Sequence, residues 1–209
     1  TVTLFSAQSE LVVGILERDG VCFSKREYVE KKYGESAPIF VAAYDWFVKE
    51  AQKYFSKPEE AEYPYWAFVD LYSVDRSGDS HTLQLRVPAE EAVFFDMFDW
   101  NKVMRLQYIG GTEADERRFK QMLADYGIRR ESDVFLTNFH PDLKHQVQES
   151  WKRLFRHHEE IKAGDAFGVQ SVQAGLWQLK KEWIVLYDSD ENNRKKEYVI
   201  TDKGKEVVE

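Results

Sequence analysis

Thr82-Leu83-Gln84-Leu85-Arg86-Val87-Pro88 sets apolar Leu83, Leu85 and Val87 against polar Thr82, Gln84 and Arg86, residue by residue. A period of two puts each set on its own face of a strand, so this stretch reads as a half-buried β-strand. Pro88 has no N–H to give to a ladder and ends it. Just upstream, Tyr65 to Val74 is aromatic and β-branched, and Arg76-Ser77-Gly78-Asp79 is a turn signal, so the two runs are expected to form a hairpin. Val93-Phe94-Phe95, beyond Pro88, is a short buried strand. The ends of the chain are also β. Val2 to Phe5 opens the first strand, which Gln8 ends, and Val21-Cys22-Phe23 makes a second. Val172–Trp177, Trp183–Tyr187 and Glu197–Thr201 close the sequence, the last two as a hairpin across Asp188–Asn193.

The period changes to that of a helix between these blocks. Leu11, Val12, Ile15 and Leu16 mark a helix that Asp19-Gly20 stops. Ser24 with Glu27 has the spacing of a capping box and opens a helix to about Lys32. From Pro38 to Phe55, Phe40, Ala43, Phe47, Ala51 and Tyr54 form one stripe, widened by Tyr44, Trp46 and Phe55. Thr112 caps a helix whose inner face carries Phe119, Met122, Leu123 and Tyr126, and Gly127 ends it. A last helix is expected from Asp142 to His158. The block order is strand, helices, strands, helices, strands. It predicts an α+β fold: a single domain over residues 1–209, with a mixed or antiparallel sheet of short strands packed with about five helices.

Composition narrows the function classes. The 209 residues include 29 Lys+Arg against 37 Asp+Glu, a net charge of −8, with 6 Trp, 11 Tyr and 14 Phe as core material. An acidic chain is a poor match for phosphate backbones, so nucleic acid is not an expected partner. Arg129-Arg130 and Arg194-Lys195-Lys196 read as solvated surface, balanced by Glu131 and Asp133 and by Asp190 and Glu191. No run approaches the roughly 18 apolar residues of a membrane span, and no basic stretch leads into an apolar one at the N-terminus. Cys22 is the single cysteine, set in an apolar run, and reads as a buried inert thiol. A cytoplasmic location is expected.

Chemical motifs are sparse. Gly110-Gly111 lacks the downstream lysine of a phosphate loop and reads as a plain turn. His140 and His145 are off helical ligand spacing, and His157-His158 reads as a solvated helix end, so no metal site is expected. Asp188-Ser189-Asp190-Glu191-Asn192 imitates half a calcium loop, but it has Asn193 in place of the turn glycine and Val199 in place of the closing glutamate. No catalytic residue, cofactor or protein partner can be assigned, and whether the chain is an enzyme stays open. The informative feature is indoles beside carboxamides in strands: Gln8, Trp66, Gln173 and Trp177. Gln173, Gly175 and Trp177 fall on one face of their strand. An indole stacks a planar ligand and an amide reads its edge, so a nucleotide-like small molecule is the expected ligand. The plain alternative is core packing, with the amides satisfying indole N–H groups. A third reading is a non-enzymatic module that docks another protein through exposed aromatics.

Several pieces, in order and nearly end to end, carry a family resemblance. They are Leu4-Phe5-Ser6-Ala7-Gln8, Ala43-Tyr44-Asp45-Trp46, Pro64-Tyr65-Trp66-Ala67, Leu83 to Pro88, Asp96-Met97-Phe98-Asp99-Trp100, Ser150 to Phe155, and Val172 to Trp177. Together they resemble a bacterial family designated DUF3841, a domain of unknown function. The resemblance implies a shared fold and brings no activity. The family tends to show a His and later an Asn after the Asp-Trp segment. Here Asn101 and Arg105 fall near those positions, so a role for that His does not carry over. The layout is also similar, more loosely, to the split sheet of ADP-ribosyltransferases, which clamp NAD between sheets and carry a glutamate on a late strand. Gln173 or Trp177 stands at that place and Glu182 lies beyond, which implies a ligand-binding relative.

Overall fold

The computed structural model describes residues 1–189, 197–201 and 204–208. The strands are β1 (Val2–Ser9), β2 (Val21–Phe23), β3 (Tyr65–Phe68), β4 (Ser80–Val87), β5 (Val93–Asp96), β6 (Val172–Leu176), β7 (Gln178–Lys180), β8 (Ile184–Ser189), β9 (Glu197–Thr201) and β10 (Gly204–Val208). The helices are α1 (Glu10–Asp19), α2 (Arg26–Tyr33), α3 (Ala37–Ala51), α4 (Met97–Met104), α5 (Glu113–Asp125), α6 (Asp133–Leu136), α7 (Pro141–Ser150) and α8 (His158–Lys162). Eight strands form one sheet in the order β10-β9-β8-β4-β1-β3-β6-β5, each pairing antiparallel, and β2 with β7 makes a small second sheet. This is an α+β fold. No described helix is long and apolar enough to cross a membrane.

Alternation decides what each face of the sheet meets. Leu4, Tyr65, Ala67, Leu83, Leu85, Phe94, Ala174 and Leu176 pack with Val12, Val13 and Leu16 of α1. The opposite face carries Val93 and Phe95, which pack with Ala43, Tyr44 and Phe47 of α3 and with Trp100, Trp151 and Trp177. The second core is far richer in rings. Phe47 sits edge-on to Trp66, Phe95, Trp100 and Phe155 at 5.0–5.6 Å between ring centres. Gly175 is required here, because an added Cβ would lie 2.9 Å from Cζ of Phe47.

Four sequence expectations are corrected. β3 and β4 do not form a hairpin; β1 lies between them. The eight residues of β4 match β1 along its whole length, from Val2↔Val87 to Ser9↔Ser80, which four-residue β3 cannot do. The segment after Phe68 turns instead at Leu71–Ser73. The capping box at Ser24 is not made. Its backbone carbonyl accepts from Glu62 and Tyr63, and the Glu62 carboxylate takes the Arg26 N–H at the start of α2. The expected long helix ending at His158 breaks after Ser150. Trp151 Nε1 donates to the Gln107 carbonyl, and Arg153 and Arg156 donate to the carbonyls of Ile109 and Gly110. These long-range bonds tighten residues 151–155 into a 3₁₀ turn. Finally, His158 is not solvated. It is 1% exposed, and its Nδ1 accepts the Phe94 N–H at 3.1 Å. β8 and β9 pair at Tyr187↔Tyr198 as expected. The turn between them, the calcium-loop imitation past Ser189 and the basic group Arg194-Lys195-Lys196 lie outside the described residues.

Candidate functional site

β1 is held very differently on its two edges. Toward β3 it shares one register pair, Phe5↔Phe68. Past that point a cavity of about 790 Å3 borders Ala7–Ser9 on one side and Pro64–Trp66 on the other. α1, α2 and the segment from Ser73 to Ser80 complete its walls. The volume is in the range of small-molecule sites.

Ser6 bridges the parting strands. It is fully buried, and its hydroxyl donates to the Trp66 carbonyl at 2.6 Å, in place of the backbone donor that a closed ladder would supply. Residues i and i+2 share a face, so Gln8 stands next to it, and Gln8 Nε2 donates to Ser6 Oγ at 2.8 Å. One hydrogen of the Gln8 amide is thereby committed. The rest of the amide faces the cavity border.

Trp66 also lines the cavity, half-buried. Its Nε1 donates to the Tyr44 hydroxyl at 2.7 Å, so its polar edge is used by the protein and only ring surface remains for a ligand. Burial pushes the Tyr44 phenol well above its ordinary range and keeps it neutral. Tyr33 stacks on Phe40 at 3.7 Å and adds another aromatic wall. Lys31 and Lys32 stand on the α2 side of the border.

Gln173 is 3% exposed, and its Oε1 has no hydrogen-bond partner. Among the described residues the one other buried side-chain oxygen or nitrogen in that condition is Ser80 Oγ. Both residues line this cavity, from β6 and from β4. An unpaired buried polar atom costs about 1–3 kcal/mol, so two on one cavity mark where polar partners belong.

Three of the four sequence-nominated residues, Gln8, Trp66 and Gln173, therefore come together on one cavity. Trp177 does not join them. It is 2% exposed, stacks on Phe55 at 4.9 Å and donates Nε1 to the Phe55 carbonyl. The shared face is real, but four residues of strand span about 13 Å, which takes the indole out of the cavity and into the core. Ser6, Tyr44 and Ser80 were not nominated. A serine in the inward-facing set Leu4, Ser6, Gln8 was the signal available for the first. Cys22 and Tyr65 also line the cavity, with Sγ and Oη 3.0 Å apart. Burial pushes the thiol above its ordinary range, which favours the protonated form. The N–H groups of Gly110 and Gly111 are taken by the Glu116 and Asp115 side chains of α5. None of the six tryptophans is among the exposed large side chains. The most exposed rings, Tyr72, Phe139 and Phe167, are on separate loops.

A family model described as a domain of unknown function (DUF3841) matches residues 3–185. No curated protein and no solved structure matches the chain.

Proposed function

The chain belongs to the DUF3841 family, and on that premise we propose that the cavity between β1 and β3 holds a planar nucleotide-like ligand. The single observation that carries this reading is the pair of unpartnered buried oxygens, Gln173 Oε1 and Ser80 Oγ, on one aromatic-walled cavity. Gln173 and Gln8 read the ligand edge, while Trp66 and Tyr33 offer ring surface. Lys31 and Lys32 stand where phosphates of a nucleotide would sit. An NAD-related dinucleotide is the first member of the class to test, in line with the split-sheet likeness to ADP-ribosyltransferases.

The reading is one of binding. Asp75 is the one carboxylate on the border among the described residues, and Glu182 lies exposed in the turn Lys181–Trp183, off the border. No transfer chemistry is assigned to either. A cytoplasmic setting belongs to the same reading, supported by the free buried thiol of Cys22.

Intrinsic tryptophan fluorescence and thermal melting with NAD, ADP-ribose, ATP and GMP test the proposal. At least one is expected to quench Trp66 and raise the melting temperature, and Gln173→Leu is expected to abolish both effects. No response to any of them at millimolar concentration removes it.

A further inference from the structure

A second cavity, of about 840 Å3, lies away from the first, between the end of α4 and the turn after α5. Arg105, Lys120, Arg129 and Arg130 border it, with Glu131 as the one acid among the described residues. That concentration of cations stands out on a chain of net charge −8.

The local sequence explains the convergence. Gly127 takes a left-handed φ of 74°, Gly127 N–H returns to the Ala124 carbonyl, and Ile128 N–H returns to Leu123. This double return satisfies the last carbonyls of α5, which mutes the negative end of the helix. Ile128 packs on the core and reverses the chain, which brings Arg129 and Arg130 to the same cavity as Lys120. Arg105 arrives from the other side, just before Leu106, which is buried and holds a left-handed φ of 57°.

The neighbouring acids balance the group only in part, at Arg130. Asp133 is occupied by Arg130 at 2.9 Å. Glu131 turns a carboxylate oxygen to the Tyr108 N–H at 2.6 Å, and burial raises its pKa. Among the described residues Arg105 and Arg129 have no ion-pair partner, and Lys120 has only longer-range attraction to Glu116 and Glu131. Among the described residues no aromatic ring lines the cavity, so none of them stacks a base there.

We propose that this cavity binds a chain of two or more linked phosphates, held by Arg105, Arg129 and Lys120. Forked guanidinium groups match phosphate oxygens in pairs, and the absence of rings favours the phosphates themselves over a nucleobase.

Calorimetric titration of the full chain with inorganic tripolyphosphate at low salt is the test. Binding is expected, and R105Q/R129Q is expected to weaken it about tenfold or more without lowering the melting temperature. R18Q/R86Q changes the net charge equally at exposed positions that border neither cavity and is expected to bind like the parent. A short single-stranded RNA is the second probe; an affinity above that of tripolyphosphate would overturn the preference for a free phosphate chain. The proposal also fails if tripolyphosphate gives no heat, or if R105Q/R129Q leaves binding unchanged. It fails equally if R18Q/R86Q weakens binding as much. Q173L bears on the first cavity alone, and its tripolyphosphate binding is expected to be unchanged.

Discussion

The two edges of β1 differ in one respect that matters. Toward β4 the strand is zipped over eight consecutive register pairs; toward β3 it holds one pair and a serine bridge. The zipped edge places Leu4, Leu83 and Leu85 in fully buried packing, which is ordinary stabilising work. The parted edge leaves room for a cavity, which Gln8, Gln173 and Ser80 border. One strand thus serves as scaffold on one side and as the lip of a cavity on the other.

The zipped side carries the largest expected effect. Leu83→Ala is expected to cost about 2–5 kcal/mol in urea unfolding, and to leave ligand affinity of the folded protein unchanged. Gly175→Ala, in the ring-rich core beside the cavity, is expected to cost about 1–3 kcal/mol, because the Phe47 ring must yield. Ser6→Ala unfastens the parted edge. It leaves the Trp66 carbonyl and the Gln8 amide without their partner, with an expected cost of about 1–2 kcal/mol and a loss of the fluorescence response to nucleotide.

Acid probes the far edge strand, β5. Burial lowers the His158 pKa, and protonation of Nδ1 would cancel the bond from Phe94. The unfolded state takes up the proton first, near its ordinary value of 6.5, so His158's contribution to stability is full above that pH and falls as pH drops below it. His158→Gln is expected to flatten that slope, as measured by urea midpoints at pH 7.5 and 5.5. The smallest expected effect sharpens the contrast. Gln173→Leu removes an unpaired buried oxygen, so stability should hold or rise by up to about 1 kcal/mol while ligand binding disappears. A large loss of stability instead would mean that Gln173 is a packing residue.

Much of this frame was legible in the sequence, for physical reasons that also mark its limits. The alternation in Thr82–Val87 and the stop at Gly20 are local signals, and the fold follows both. α4 carries no clear helical period in the sequence, although Asp96 caps it by accepting the Phe98 N–H. The helix expected through His158 failed because partners more than 40 residues away pull it into a tighter turn. At the first cavity, residue type singled out Gln8, Trp66 and Gln173, and the fold brings all three to one border. Trp177 shares the face of Gln173 but lies in the core, because sharing a face does not mean sharing a cavity. Ser80 was invisible, because an orphaned hydroxyl is a property of its surroundings.

The place of β1 in the sheet also governs the order in which the molecule can be made. Its matched partner, β4, ends at Val87, long after Ser9 has been synthesised. At about 5–20 residues per second the nascent strand waits roughly 4–16 s before that pairing can form. During that wait its inward side chains have no β4 to cover them. Translation speed across residues 10–87 therefore bears on yield, and slowing it should lengthen the interval in which a holdase chaperone can capture the emerging chain.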